Sequence, residues 1–70
     1  MNFIIYDTRW QKLWASGNTE EKNGVINFSS ICDYLMTATE PEIFHIVFFT
    51  ADGLVREKIS LVDYMRRETA

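Results

Sequence analysis

One thiol, one imidazole and a few carboxylates are the groups in this 70-residue chain that could carry a reaction, and each stands in a setting that argues against one. Cys32 and His45 would supply a nucleophile and a base, which covalent catalysis needs within hydrogen-bond reach of each other. His45, however, lies in residues 43 to 50 (Ile-Phe-His-Ile-Val-Phe-Phe-Thr), the most apolar run of the chain, and Cys32 lies in a segment with helical apolar spacing. A buried or half-buried imidazole with one satisfied hydrogen bond, and an inert core thiol, are expected. With one Cys and one His there is no ligand set for a structural zinc ion and no internal disulfide. Asp33 and Asp63 resemble a carboxylate pair for acid–base work. Each follows a Ser by three residues, a spacing that belongs to helix starts, so both are assigned to capping. No glycine-rich phosphate loop occurs. The chain is expected to be no enzyme and to need no cofactor or metal.

The feature with a binding character is the stripe Arg9, Trp10, Lys12, Trp14. Large rings on a rigid element give contact area at low entropic cost, and Trp, Tyr and Arg are enriched where protein interfaces hold most of their energy. Alternating rings and cations can also stack single-stranded bases, with Arg56 and Lys58 extending the patch if the two hairpins are neighbours. The bland reading is that Trp10 and Trp14 close one side of a small core beside a snorkelling Lys12. Glu20 and Glu21, in a charged stretch between Gly17 and Gly24, read as part of an exposed loop able to meet a basic partner. Tyr34 and Tyr64 read as core-edge side chains.

These residues must be held by elements, and two hexapeptides reveal how. Ser30-Ile31-Cys32-Asp33-Tyr34-Leu35 and Ser60-Leu61-Val62-Asp63-Tyr64-Met65 match at Ser, Asp and Tyr and are apolar elsewhere. Both read as helix starts in which the Ser hydroxyl accepts from the backbone N–H three residues on, with an Asp at the positive helix end. Strands are expected over residues 2 to 7, 43 to 50 and 54 to 59, with a short one over 25 to 28; helices over 30 to 39 and from 60 onward. Residues 9 to 16 fit a strand, with Trp10, Lys12 and Trp14 on one face, or a helix capped by Asp7; the strand is preferred because the second half of the chain holds a clearer hairpin. Apolar on both faces apart from His45, residues 43 to 50 should be a central strand covered on both sides.

The expected fold is α+β: a small two-layer domain, 1–70, with an antiparallel sheet of four to five strands and both helices on one face. An internal ββα repeat, units 1–40 and 41–70, would explain the paired hexapeptides, unless they converged on a shared capping pattern. So short a chain supports a core worth roughly 3 to 5 kcal/mol, so 47% hydrophobic residues, 14% of the chain aromatic, either fill it densely or face a partner. A net charge of −3 repels polyphosphate, and the sequence shows neither a membrane-length apolar run nor a signal-peptide pattern. These features point to a cytoplasmic, non-enzymatic protein-binding module. A small acidic accessory or inhibitor protein of the phage or mobile-element kind, acting by steric occlusion, fits them, with Arg9, Trp10, Lys12, Trp14, Glu20 and Glu21 meeting a protein target. The alternatives are a single-stranded nucleic-acid regulator using the Trp10/Trp14 face and a homodimer built on a sheet edge.

Overall fold

The computed structural model describes residues 1–20 and 28–69, the last two by backbone alone. Its elements are β1 (Asn2–Asp7), β2 (Leu13–Asn18), α1 (Phe28–Met36), a 3-10 turn (Pro41–Ile43), β3 (Phe44–Phe49), β4 (Val55–Ser60) and α2 (Leu61–Thr69). The four strands form one antiparallel sheet in the order β2-β1-β3-β4. Two hairpins thus meet along β1 and β3, and each precedes a helix, giving the expected α+β architecture with four strands.

Period-two alternation places the core on one side of this sheet. Phe3 pairs with Phe48, Ile5 with Ile46 and Asp7 with Phe44, and all six side chains are buried. Phe28, Cys32 and Leu35 of α1 and Leu61 of α2 join the same buried cluster, so both helices cover the same face. At its centre the Phe28 ring lies 4.6 Å from Phe3, 5.8 Å from Phe48 and 5.6 Å from Tyr64, in tilted and edge-to-face arrangements that suit the ring quadrupoles.

The interleaved residues Ile4, Tyr6, His45, Val47 and Phe49 project to the opposite face and are only half-buried. Among the described residues no element covers them. β3 is therefore central, as its composition demands, but covered on one side only. Apolar residues on both faces of a strand record that both faces avoid water more than a polar strand would, without saying that a second layer of this chain meets them.

Phe28 was expected to end a strand; instead it opens α1, while residues 25 to 27 lie outside the described residues. The helix starts two residues earlier than expected and stops at Met36, after which Thr37 and Ala38 donate to the carbonyls of Tyr34 and Leu35. Ser30 is accordingly the third residue of α1 and Asp33 the sixth, too deep to cap its start. Ser60 does cap α2: its Oγ accepts from the Asp63 N–H at 3.2 Å, immediately before Leu61. The hexapeptides therefore occupy different helix registers, although the order ββαββα is the one a twofold repeat would give. Ser60→Ala should cost about 1 kcal/mol in a urea titration, and Ser30→Ala less, because alanine is well tolerated inside a helix. Equal losses would mean that the two serines cap alike.

The β3–β4 hairpin closes as its turn residues require. Gly53 takes φ +90°, which a side chain disfavours, and its N–H donates to the Thr50 carbonyl at 2.9 Å. β4 is an edge strand, and its Arg56, Glu57 and Lys58 discourage unplanned pairing.

Candidate functional site

The residues of the aromatic-basic stripe fall on a turn and a strand rather than on one face. Thr8 to Trp10 turn the chain, Gln11 adopts φ +53°, and β2 begins only at Leu13. This turn is organised by Asp7. Its carboxylate, on a residue 1% exposed, accepts from the Trp10 backbone N–H through one oxygen and from Trp14 Nε1 through the other at 2.9 Å. Burial raises the Asp7 pKa, but the bonds from the Trp14 indole and from the backbone at Trp10, Lys12 and Gln11 together outweigh it and bring it below the usual 3.8. The turn is also tied to the α1–β3 connection. Thr8 donates to the Ile43 carbonyl from its N–H at 2.8 Å and its hydroxyl at 3.0 Å, and Arg9 pairs with Glu40.

Asp7 thereby fixes the Trp14 ring, whose orientation is completed by an edge-on contact with Phe44 at 5.7 Å and by Lys12 Nζ lying 5.0 Å over the ring. One side of the ring borders α1. Trp14, Ala15, Ile31, Tyr34 and Leu35 line a hollow of ≈ 240 Å³, which adjoins a second of ≈ 300 Å³ reaching Thr37, Ala38, Thr39 and Phe44. Trp14, Tyr34 and Leu35 are common to both, so together they make one groove. Its floor is apolar and its walls are the rings of Trp14, 47% exposed, and Tyr34, 71% exposed.

The other expected contact residues separate from this groove. Trp10 is 74% exposed but sits on the turn and lines neither hollow. Arg9 has its charge matched by Glu40. Glu20 lies two residues beyond the far end of β2, which by itself extends about 17 Å from Leu13 at 3.4 Å per residue. Glu21 falls outside the described residues. Arg56 and Lys58 do not extend the stripe, because β4 and β2 are opposite edges of the sheet. Tyr34 is the residue that sequence reasoning misplaced: with α1 beginning at Phe28, the positions turned to the sheet are Phe28, Cys32 and Leu35, and Tyr34 stands on the groove rim. The apolar-aromatic spacing of Phe28, Cys32 and Leu35 was the available signal, obscured by the attractive Ser30 cap.

A wider depression of ≈ 440 Å³ at the other end of the molecule is lined by Met1, Thr19, Phe48, Arg56, Glu57, Tyr64 and Arg67. Long charged side chains dominate its rim. Arg67 grips Glu57 through two hydrogen bonds of 2.8 and 2.9 Å, which lower the Glu57 pKa below the usual 4.5, so neither offers an unmatched charge. Its two rings, Phe48 and Tyr64, pack on each other and on Phe28, so they stand less exposed than Trp14 and Tyr34 do.

As for reaction chemistry, the sheet separates the thiol from the imidazole. Cys32 is buried on the helix side with its pKa raised to about 12 by burial and by the charge of Asp33, while His45 faces the opposite side beside Tyr6 at 5.9 Å. His45 is half-buried and, contrary to the satisfied imidazole expected, its Nδ1 is buried and lacks a hydrogen-bond partner among the described residues. Asp33 and Asp63 are both exposed on separate helices. No group of three or more His, Cys, Asp or Glu residues that could hold a metal ion occurs among the described residues, and no described helix is long and apolar enough to cross a membrane. No protein-family model matches the chain, and neither a curated protein nor a solved structure matches it.

Proposed function

We propose that this chain is a non-enzymatic binding module for a protein partner, and that the groove between Trp14 and Tyr34 receives an apolar side chain of that partner. The observation that carries this reading is an apolar hollow, adjoined by a second of mixed polarity, walled by two exposed rings, one of them held in place by Asp7 and Phe44 before any partner arrives. A preorganised aromatic wall lowers the ordering cost of binding and helps form the kind of pocket in which interface energy concentrates. Net charge −3 supports a protein ligand over phosphate, and it would steer the module toward a basic surface. Small size and acidity fit an accessory or inhibitory protein of the phage or mobile-element kind, acting in the cytoplasm by covering its target. Stacking of single-stranded bases has weaker support, since Arg9 is matched by Glu40 and Lys12 is drawn over the Trp14 ring.

Tyr34→Ala is the cleanest probe, because so exposed a ring contributes little to folding. Affinity capture with mass spectrometry identifies the partner, and calorimetry then compares variants. Tyr34→Ala is expected to weaken binding about tenfold or more, and Trp10→Ala much less. Unchanged affinity in Tyr34→Ala, or tight salt-sensitive binding of the wild type to a single-stranded oligonucleotide, would overturn the reading.

A further inference from the structure

We infer that a second copy of this chain packs on the helix-free face of the sheet. The face is built in level rows across all four strands. Ser16, Ile4, Val47 and Lys58 pair in register through its middle, Leu13, Tyr6, His45 and Ser60 toward one end, and Asn18, Asn2, Phe49 and Val55 at the other. Its centre is aliphatic, with Ile4 beside Val47, and its margins hold Leu13 at 57% and Val55 at 65% exposure.

Size and charge both select a copy of the same chain as the occupant. Four strands about 4.8 Å apart and six residues long at about 3.3 Å give a footprint of roughly 400 Å² in projection, and side chains standing out of that plane bring the accessible area toward the ~800 Å² per partner of a stable interface. Net charge does not oppose the contact at close range, since among the described residues the carboxylates carried by strands are Asp7 and Glu57, and both point to the helix side. The ionisable groups left on the face are His45, Lys58 and the Tyr6 phenol, with Lys58 Nζ 5.9 Å over the Tyr6 ring. A twofold axis parallel to the strands sets β3 over β1 of the second copy and β4 over its β2. Val47 then meets Ile4, and Lys58 meets the Ser16 hydroxyl instead of another Lys58. The same patch serves on both sides, as a closed dimer requires. Stacking two open faces supplies the second layer that the composition of β3 calls for, and it supplements a core that is thin at this chain length. Both Trp14 grooves lie on the helix side of their sheets and remain outward, so the dimer offers two of them.

Light scattering after size exclusion, from micromolar to millimolar protein, tests this on the intact chain. The wild type is expected at twice the 8.2 kDa monomer mass, with a thermal midpoint that rises with concentration. Val47→Glu should be monomeric and Val47→Thr should remain dimeric. Leu13→Glu and Val55→Glu, at positions too exposed to threaten folding, should each raise the dimer dissociation constant at least tenfold even if Val47→Glu does not fold. Tyr34→Ala should leave the dimer intact, which separates this contact from partner binding in the groove. A monomeric wild type at millimolar concentration, a dimer indifferent to the Leu13 and Val55 variants, or a monomer whose face binds oligonucleotide through Tyr6 and Phe49 would overturn the inference.

Discussion

Phe28→Ala is expected to leave the chain largely unfolded at room temperature. The phenyl ring touches Phe3, Phe48 and Tyr64 at once and is the main link between α1 and the central strands. Truncating a buried Phe to Ala costs about 3 to 5 kcal/mol through lost transfer energy and the cavity left behind. A domain of this length holds roughly 3 to 5 kcal/mol in its core altogether, so one ring is comparable to the whole margin. Far-UV circular dichroism and a urea titration suffice to check it. Phe28→Leu, which keeps most of the volume, should retain a cooperative transition at a lower midpoint. A Phe28→Ala protein with a wild-type midpoint would show that the aromatic cluster does not hold the helix to the sheet.

Asp7→Ala is expected to lower the urea midpoint by an amount comparable to a core truncation, although Asp7 contributes no apolar surface. Removing the carboxylate leaves the Trp14 indole and the Trp10 backbone N–H without their acceptor, and the loss of partners for part-buried donors is costly. The pH dependence follows from the sign of the pKa shift. Because the folded-state pKa lies below 3.8, folding favours the ionised form; the stabilisation is fully present above the unfolded value and disappears as pH falls through the folded one. Wild type should therefore lose stability below about pH 3.8, and the gap between wild type and Asp7→Asn should narrow over the same range. Trp14 fluorescence reports the same event, since the ring is released when its acceptor protonates. A constant gap between the two proteins from neutral to strongly acidic pH would remove Asp7 from its place as organiser of the turn.

These two residues also show where the sequence was legible. β1, β3, the Gly53 turn and the start of α2 follow from local signals: β-branched and aromatic runs, a glycine at the one positive-φ glycine position described, and a Ser before an apolar segment. At Phe28 two local signals competed, the Ser30 cap and the apolar spacing of Phe28, Cys32 and Leu35. Burial favoured the second, because three core side chains are worth more than one capping hydrogen bond. Asp7 was read as a strand end or a helix cap. Its role depends on Trp14, seven residues away on the neighbouring strand, and no local pattern announces that pair.

By itself the sequence determined the α+β class, an antiparallel sheet with two helices on one face, and the apolar character of β3 on both sides, because alternation, turn chemistry and charge act over a few residues. Only the tertiary structure decided that the hairpins join through β1 and β3, which sends β2 and β4 to opposite edges and breaks the stripe of Arg9, Trp10, Lys12 and Trp14 away from Arg56 and Lys58. It also decided that Trp14 faces Tyr34 across a groove while Trp10 stands apart on a turn. The physical reason is that strand order and groove walls are set by which buried faces pack together across the chain, and those choices are made among elements whose local preferences are equally satisfied either way.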